Sequence, residues 1–260
     1  VTASGAVGAT ETSTDTVWPF LLDRMAATLG CDSPADRVLP PLWHWMLFQN
    51  WVPRGRIGAD GHPQRGGFLP ALPELPRRMW AGSRLTYAGE LHAGDDVTRV
   101  STITAITERE GRSGRLVFVT VRHEIARDGA VVITEEQDLV YRAAAVAPAI
   151  SAPAAPVPDG IVVQPDEVML FRYSALTGNG HRIHYDAPYA AGAEQYPALV
   201  VHGPLVATLL CGLLRRSPQT LTIRAARPVF VGDDLHLVRQ PDVLQAFNNR
   251  GEPCMSVTAG

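Results

Sequence analysis

The sequence predicts an α+β chain built as two similar halves, each a set of long antiparallel strands with a helix at its centre. Three observations carry this. The word Gly-Asp-Asp followed by an apolar residue occurs at Gly94-Asp95-Asp96-Val97 and again at Gly232-Asp233-Asp234-Leu235, each time after a strand-like run. Between the copies, residues 143 to 159 are almost wholly Ala, Pro, Val and Ser, a composition that stays extended because proline fixes φ and removes a helix donor. Behind each copy come runs rich in Val, Ile and Thr, which suit a pleated, half-buried surface. The expected organisation is a first half over residues 1–145, an Ala/Pro linker over 146–160 and a second half over 161–260. The alternative is that Gly-Asp-Asp marks two unrelated turns; its place in matching strand orders favours duplication.

Taken in order, Val1 to Asp15 is small and polar, with no basic stretch leading into an apolar one, so no leader is expected there. Thr16 to Leu29 spaces Val17, Phe20, Leu21, Met25 and Leu29 at helical intervals and predicts an amphipathic helix. Pro53 to Pro76 is a Gly/Pro-rich loop long enough to be functional. Val97 to Thr107, Arg115 to Ile125 and Val131 to Arg142 are strands, separated by turn words such as Arg127-Asp128-Gly129. In the second half Asp166 to Leu176 predicts a helix, and Pro204 to Leu214 a helix apolar on every side, as one wrapped by a sheet must be. Thr220 to Val231, Asp234 to Gln240 and Glu252 to Thr258 repeat the strand order more weakly.

Composition narrows the function. With 46% hydrophobic and 19% charged residues and a net charge of -3, the chain reads as a folded protein with no reason to bind nucleic acid. No apolar run approaches the ~20 residues that cross a bilayer, so no membrane role is expected. Cys31, Cys211 and Cys254 are scattered and read as reduced thiols of a cytoplasmic protein. There is no H-E-x-x-H, no Cys/His spacing for a metal, no P-loop and no G-x-G-x-x-G, so neither metal nor cofactor is expected.

The strand and helix order is that of a double hot-dog fold, and one stretch sharpens the resemblance. Residues 175 to 190, ALTGNGHRIHYDAPYA, resemble the hydratase motif of MaoC-like enoyl-thioester hydratases, A-L-[ST]-G-D-x-N-P-x-H-x-D-x-x-[FY]-A. Ala175, Leu176, Thr177, Gly178, His184, Asp186, Tyr189 and Ala190 match in register. Val200-Val201-His202-Gly203-Pro204-Leu205 is similar to the segment that opens the family's central helix. The first half, with Leu39-Pro40-Pro41-Leu42-Trp43-His44-Trp45, Arg65-Gly66-Gly67-Phe68, Pro76-Arg77-Arg78-Met79-Trp80 and Glu135 to Tyr141, resembles a narrower branch. That branch holds hydratases of mesaconyl-C4-CoA and itaconyl-CoA and the mitochondrial type 2 hydroxyacyl-thioester dehydratases. Together the resemblances span about residues 16 to 258. They imply an acyl-CoA hydro-lyase acting as a homodimer or higher homo-oligomer, with CoA present only as part of the substrate. A dehydratase of fatty or polyketide chains, a thioesterase and a silent thioester-binding module are the competing readings.

The motif departs from its family at one telling place. Asn179 stands where the motif has Asp, and His181-Arg182 where it has Asn-Pro; an amide can position a water but cannot take its proton. The expected catalytic set is therefore His184 as proton carrier, Asn179 as water holder and the Gly203 N–H as donor to the thioester oxygen, since a helix start presents unpaired N–H groups. Asp186 or a backbone carbonyl would fix the His184 tautomer. His181 is a second base, a substrate contact or a solvated residue; Arg182 meets a substrate carboxylate or pairs with Asp186; His202 caps, packs or binds. Arg65, Arg77 and Arg78 are candidates for CoA phosphates or a substrate carboxylate, and Trp80, with Trp43, Trp45 and Trp51, for the wall of an acyl tunnel or plain core. Lacking a His-Asp motif, the first half is expected to hold substrate and not to react with it.

Overall fold

The computed structural model describes residues 3–111, 114–143 and 156–260. Residues 144–155, most of the expected linker, lie outside the described residues, and residues 156–160 carry neither helix nor strand. Among the described residues ten strands form one sheet: β1 (Thr10–Thr16), β2 (Arg77–Tyr87), β3 (Asp96–Gly111), β4 (Gly114–Arg127), β5 (Ala130–Arg142), β6 (Ile161–Val163), β7 (Thr220–Ala225), β8 (Leu235–Arg239), β9 (Leu244–Phe247) and β10 (Pro253–Ala259). Their order across the sheet is β1-β3-β4-β5-β2-β7-β10-β9-β8-β6, every neighbouring pair antiparallel.

That order is a duplication. Read outward from the central β2–β7 pair, the first half runs β2, β5, β4, β3, β1 and the second β7, β10, β9, β8, β6, so each strand has a partner five places on in the chain. The two Gly-Asp-Asp words are equivalent turns. Gly94 and Gly232 take φ of 100° and 96°, a region that glycine enters without a Cβ penalty. The next N–H closes each turn, Asp95 onto the His92 carbonyl at 3.0 Å and Asp233 onto that of Phe230 at 3.1 Å.

The echo is imperfect in the helices. Helix α1 (Pro19–Leu29) begins three residues later than expected because Thr16 still pairs with Asp96 in the sheet, and Pro19 then fits the first helical turn. Helix α2 (Glu167–Thr177) starts on an Asp166 cap, whose carboxylate accepts the Met169 N–H at 2.7 Å, and packs on α1. A short helix, α3 (Ala187–Gly192), follows. Helix α4 (Gly203–Cys211) is the apolar one; Leu205, Ala207 and Leu210 are fully buried against β8, β9 and β10, each leucine contributing about 2 kcal/mol from burial. It stops at Cys211, short of the expected Leu214. Between α1 and β2 the first half has only short 3-10 turns, Trp43–Met46 and Arg54–Arg56, and its Pro-rich loop. The predicted strand over 220–231 ends at Ala225, with a separate bridge from Phe230 to Val200.

Candidate active site

The motif loop is fixed by the end of α2. Gly178 closes that helix with φ 62°, and the carbonyl of Leu176, orphaned by the helix end, is taken by the Gln49 side-chain amide of the first half at 2.6 Å. Asn179 then folds the loop: its side-chain oxygen accepts the His181 N–H at 3.0 Å while its own N–H bonds the Ser174 carbonyl at 2.9 Å. A 3-10 turn, Arg182–His184, leads into α3, whose first turn is capped by Asp186 through the Tyr189 N–H at 3.0 Å.

His184 is buried, and its Nδ1 donates to the Val200 carbonyl at 2.6 Å. A carbonyl can only accept, so the proton sits on Nδ1 and Nε2 keeps its lone pair. Of the two ways of fixing the tautomer, the carbonyl is therefore the one used. Burial pushes the ring's pKa down to about 4, against the opposing pull of that carbonyl; the imidazole is neutral at pH 7 and able to accept a proton. The His184 ring stacks on that of His202 at 3.6 Å and 18°. His202 is the residue from which α4 starts, and its Nε2 meets Ser174 Oγ at 2.8 Å. Imidazole and helix mouth are thus side by side, with Gly203 as the first residue of the helix. A Cβ on Gly203 would lie 3.0 Å from the Trp80 ring, so the indole walls this end of the site. Trp80 donates to Ser83 Oγ at 3.1 Å and meets Trp45 edge to face at 5.8 Å. Trp45 and Ser83 in turn bond the buried Glu135 carboxylate, which also holds His44 at 3.0 Å; these bonds outweigh burial and keep Glu135 down at about 2.

Sequence reasoning missed the contribution of the first-half loop. The Asp60 carbonyl accepts the Arg182 N–H at 2.9 Å, and the Ala59 carbonyl the Arg182 guanidinium at 3.0 Å. Gly61 and Gly180 meet backbone to backbone: a Cβ on Gly61 would fall 1.9 Å from the Gly180 carbonyl oxygen, and one on Gly180 2.7 Å from that of Gly61. No side chain fits at either place. This seam sets the His62 ring 4.3 Å from that of His181, which stands edge-on to His184 at 5.6 Å. Asp60, His62 and His181 bring one carboxylate and two rings within 4.8 Å, the single such group of possible metal ligands among the described residues. Local spacing could not show it, because the segments are about 120 residues apart. Both Asp60 oxygens already serve His62, Oδ1 accepting its N–H at 3.1 Å and Oδ2 lying 3.4 Å from Nδ1, so the group is better described as an Asp–His pair against a second imidazole.

Several expected substrate contacts are occupied by the fold. Arg182 pairs with Asp186 at 2.7 Å and lies over the Tyr189 ring at 4.1 Å, the pairing alternative, which removes both residues from free contact with substrate. Arg65 donates to the carbonyls of Leu75 and Pro76 in its own loop. Arg77 is buried against Glu194 at 2.9 Å, where an unpaired guanidinium would be costly. Arg78 is different. It faces the Tyr141 hydroxyl and lies near His62 and His181, whose rings are held down chiefly by burial and in smaller part by its charge, and it makes no ion pair among the described residues. Of the tryptophans, Trp43 is core, Trp51 is 77% exposed, and Trp45 and Trp80 are half-buried at the site. A cleft of about 640 Å³ opens between β1, α1 and the end of α2; Gln49 and Leu176 line it, the site histidines do not.

A neutral imidazole beside a helix start, on a duplicated sheet wrapped about an apolar helix, fits a double hot-dog hydro-lyase, an enzyme that adds or removes water next to a thioester. The comparisons agree. The family model of hydroxyacyl-thioester dehydratase type 2 matches residues 42–231, and the chain belongs to that family. It is 44% identical over 267 residues to the mesaconyl-C(4)-CoA hydratase of Chloroflexus aurantiacus, covering 97% of this chain and 95% of the relative. The HtdX structure of Mycobacterium tuberculosis superposes with a TM-score of 0.68 at 20% identity over 95% of this chain and 98% of that one. A second Mycobacterium tuberculosis structure, a double hot-dog fold, gives 0.55 at 12% identity over 97% and 95%.

Proposed function

We propose that the protein reversibly hydrates a short, branched, dicarboxylic enoyl-CoA of the mesaconyl-CoA or itaconyl-CoA type. The observation that carries the hydration is His184, whose Nε2 lone pair is left free at a ring stacked against the start of α4. Water held between Asn179 and His184 gives a proton to Nε2 as its oxygen adds to the β-carbon, and the π electrons move toward the thioester oxygen. The Gly203 N–H and the positive end of α4 hold that oxygen. Asn179 orients the water and carries no proton. The unpaired Arg78 supports a substrate with a free carboxylate, which it would take in a charge-assisted bond; the mesaconyl-C(4)-CoA substrate of the Chloroflexus aurantiacus relative supports the same class. The protein is taken to work in the cytoplasm without metal or cofactor, as a homo-oligomer covering Phe20, Val168 and Phe171, which are exposed on α1 and α2.

The test is turnover of mesaconyl-CoA, crotonyl-CoA and a long enoyl-CoA, followed by loss of the enoyl-thioester absorbance and by free-thiol release. Hydration of the dicarboxylic ester without thiol release is expected. Arg78→Ala should raise KM for it by about 10-fold or more, the worth of a hydrogen bond to a charged group, with a much smaller effect on crotonyl-CoA. Thiol release would make the protein a thioesterase, and equal preference for the long chain would refute the dicarboxylic assignment.

A further inference from the structure

The first half supplies more than a binding wall, because its loop brings an acid–base pair to the motif that lacks its usual carboxylate. The pair is built in. Residues 59–61 are locked to residues 180–182 by two hydrogen bonds and the Gly61–Gly180 contact, so His62 cannot drift from His181. Asp60 accepts the backbone N–H of His62 with Oδ1 and sets Oδ2 3.4 Å from the ring's Nδ1. A carboxylate at Nδ1 is the arrangement that leaves Nε2 to exchange protons. The charged and titratable groups facing the ring are Asp60, Arg65, Arg78 and His181, and the imidazoles continue through His184 to His202 at the helix start.

We propose that His62, oriented by Asp60, is a second catalytic residue of this site, exchanging the proton of the substrate α-carbon while His184 handles the water. The inference rests on the hydratase reading above. In hydration, the water O–H bond breaks toward His184 Nε2 and the oxygen–β-carbon bond forms. The electron pair of the double bond passes into the thioester and returns to make the α-carbon–hydrogen bond with the proton that leaves His62. Both rings start and end neutral, as burial favours: the proton that His184 takes from water passes through His181 or solvent to His62 Nε2 before it reaches the α-carbon. Asp60 stays ionised, so the pair that carries the proton is net neutral.

The experiment uses the full chain and two readouts: enoyl-CoA hydration, and NMR-detected exchange of the α-hydrogens of the matching saturated CoA ester in D2O. His62→Gln should lower kcat about 100-fold, within the usual worth of general acid–base catalysis, with KM changed less than threefold, and abolish the exchange. His184→Gln should lose hydration and keep the exchange. Asp60→Asn should follow His62→Gln in part and Asp60→Glu restore most of the activity, with melting temperatures showing that each variant is folded. An active wild type with His62→Gln within threefold of it overturns this proposal alone. So does exchange lost with His184 and kept without His62, or activity that chelators remove and zinc restores. A wild type that hydrates no enoyl-CoA overturns the hydratase reading and this proposal with it.

Discussion

Adding one methyl group at Gly203 tests the roof of the site and its donor together. An alanine Cβ would stand 3.0 and 3.1 Å from Trp80 Cε3 and Cζ3, with Met255 Cε at 3.9 Å on the other side. Carbon contacts are comfortable near 3.5–4.0 Å, so the helix start or the indole must give by roughly half an ångström. Trp80 is poorly placed to yield, since Ser83 holds its N–H and Trp45 its edge, both tied to the buried Glu135. Overpacking of this kind costs about 1–3 kcal/mol. Part of the shift falls on the Gly203 N–H, and losing an oxyanion donor outright costs about 3 kcal/mol of barrier stabilisation; Gly203→Ala should therefore lower kcat about 10- to 100-fold. The assay is steady-state hydration paired with a double-mutant cycle. In a Trp80→Leu background, where the clashing ring atoms are gone, the same methyl should cost less than threefold. Full kcat in Gly203→Ala would refute the placement of the donor, and an equal loss in both backgrounds would refute the clash as its cause.

Two further outcomes follow from the same geometry. Because burial holds the folded-state His184 pKa near 4 against 6.5 for a free imidazole, the unfolded chain binds its proton first as pH falls; the stability from this group is complete above about pH 6.5 and is lost toward pH 4, about 3 kcal/mol over that window. Denaturant titrations across that range should show the loss, reduced in His184→Gln, and equal slopes in the two proteins would count against the assignment. Arg77→Ala should destabilise by about 1–3 kcal/mol, because the half-buried Glu194 loses its guanidinium and keeps only the Tyr189 hydroxyl, whereas Arg78→Ala should change the denaturation midpoint little; the reverse order would show that their roles are exchanged.

The chain announces its chemistry more openly than the parts that frame it. Strands β3 to β5 were legible because alternating Val, Ile and Thr mark a half-buried sheet, and α4 because an all-apolar run with proline at its start leaves few alternatives. β1, with the residues TETSTDT, carries no apolar face, so only its pairing with β3 makes it a strand. β2 was hidden by its arginines: Arg77 is buried through an ion pair with Glu194, 117 positions away, a partner no local pattern reveals. The same distance in sequence concealed Asp60 and His62. The loop was marked as long enough to be functional, but which of its side chains meet His181 depends on a seam between two glycines.

Duplication explains why one half can lose what the other gains. Each half supplies five strands, yet the second does not assemble its site unaided. Gln49 caps α2, Arg77 anchors the segment around Glu194, Trp80 packs on the first residue of α4, and residues 59–62 close over the motif loop. All four contacts come from the half that has no His-Asp motif. Among the described residues the first half has no counterpart of α4, and its long loop covers the motif loop of the second half. On the proposal made above, the carboxylate that the motif lacks at Asn179 is supplied across the seam by Asp60, acting through His62.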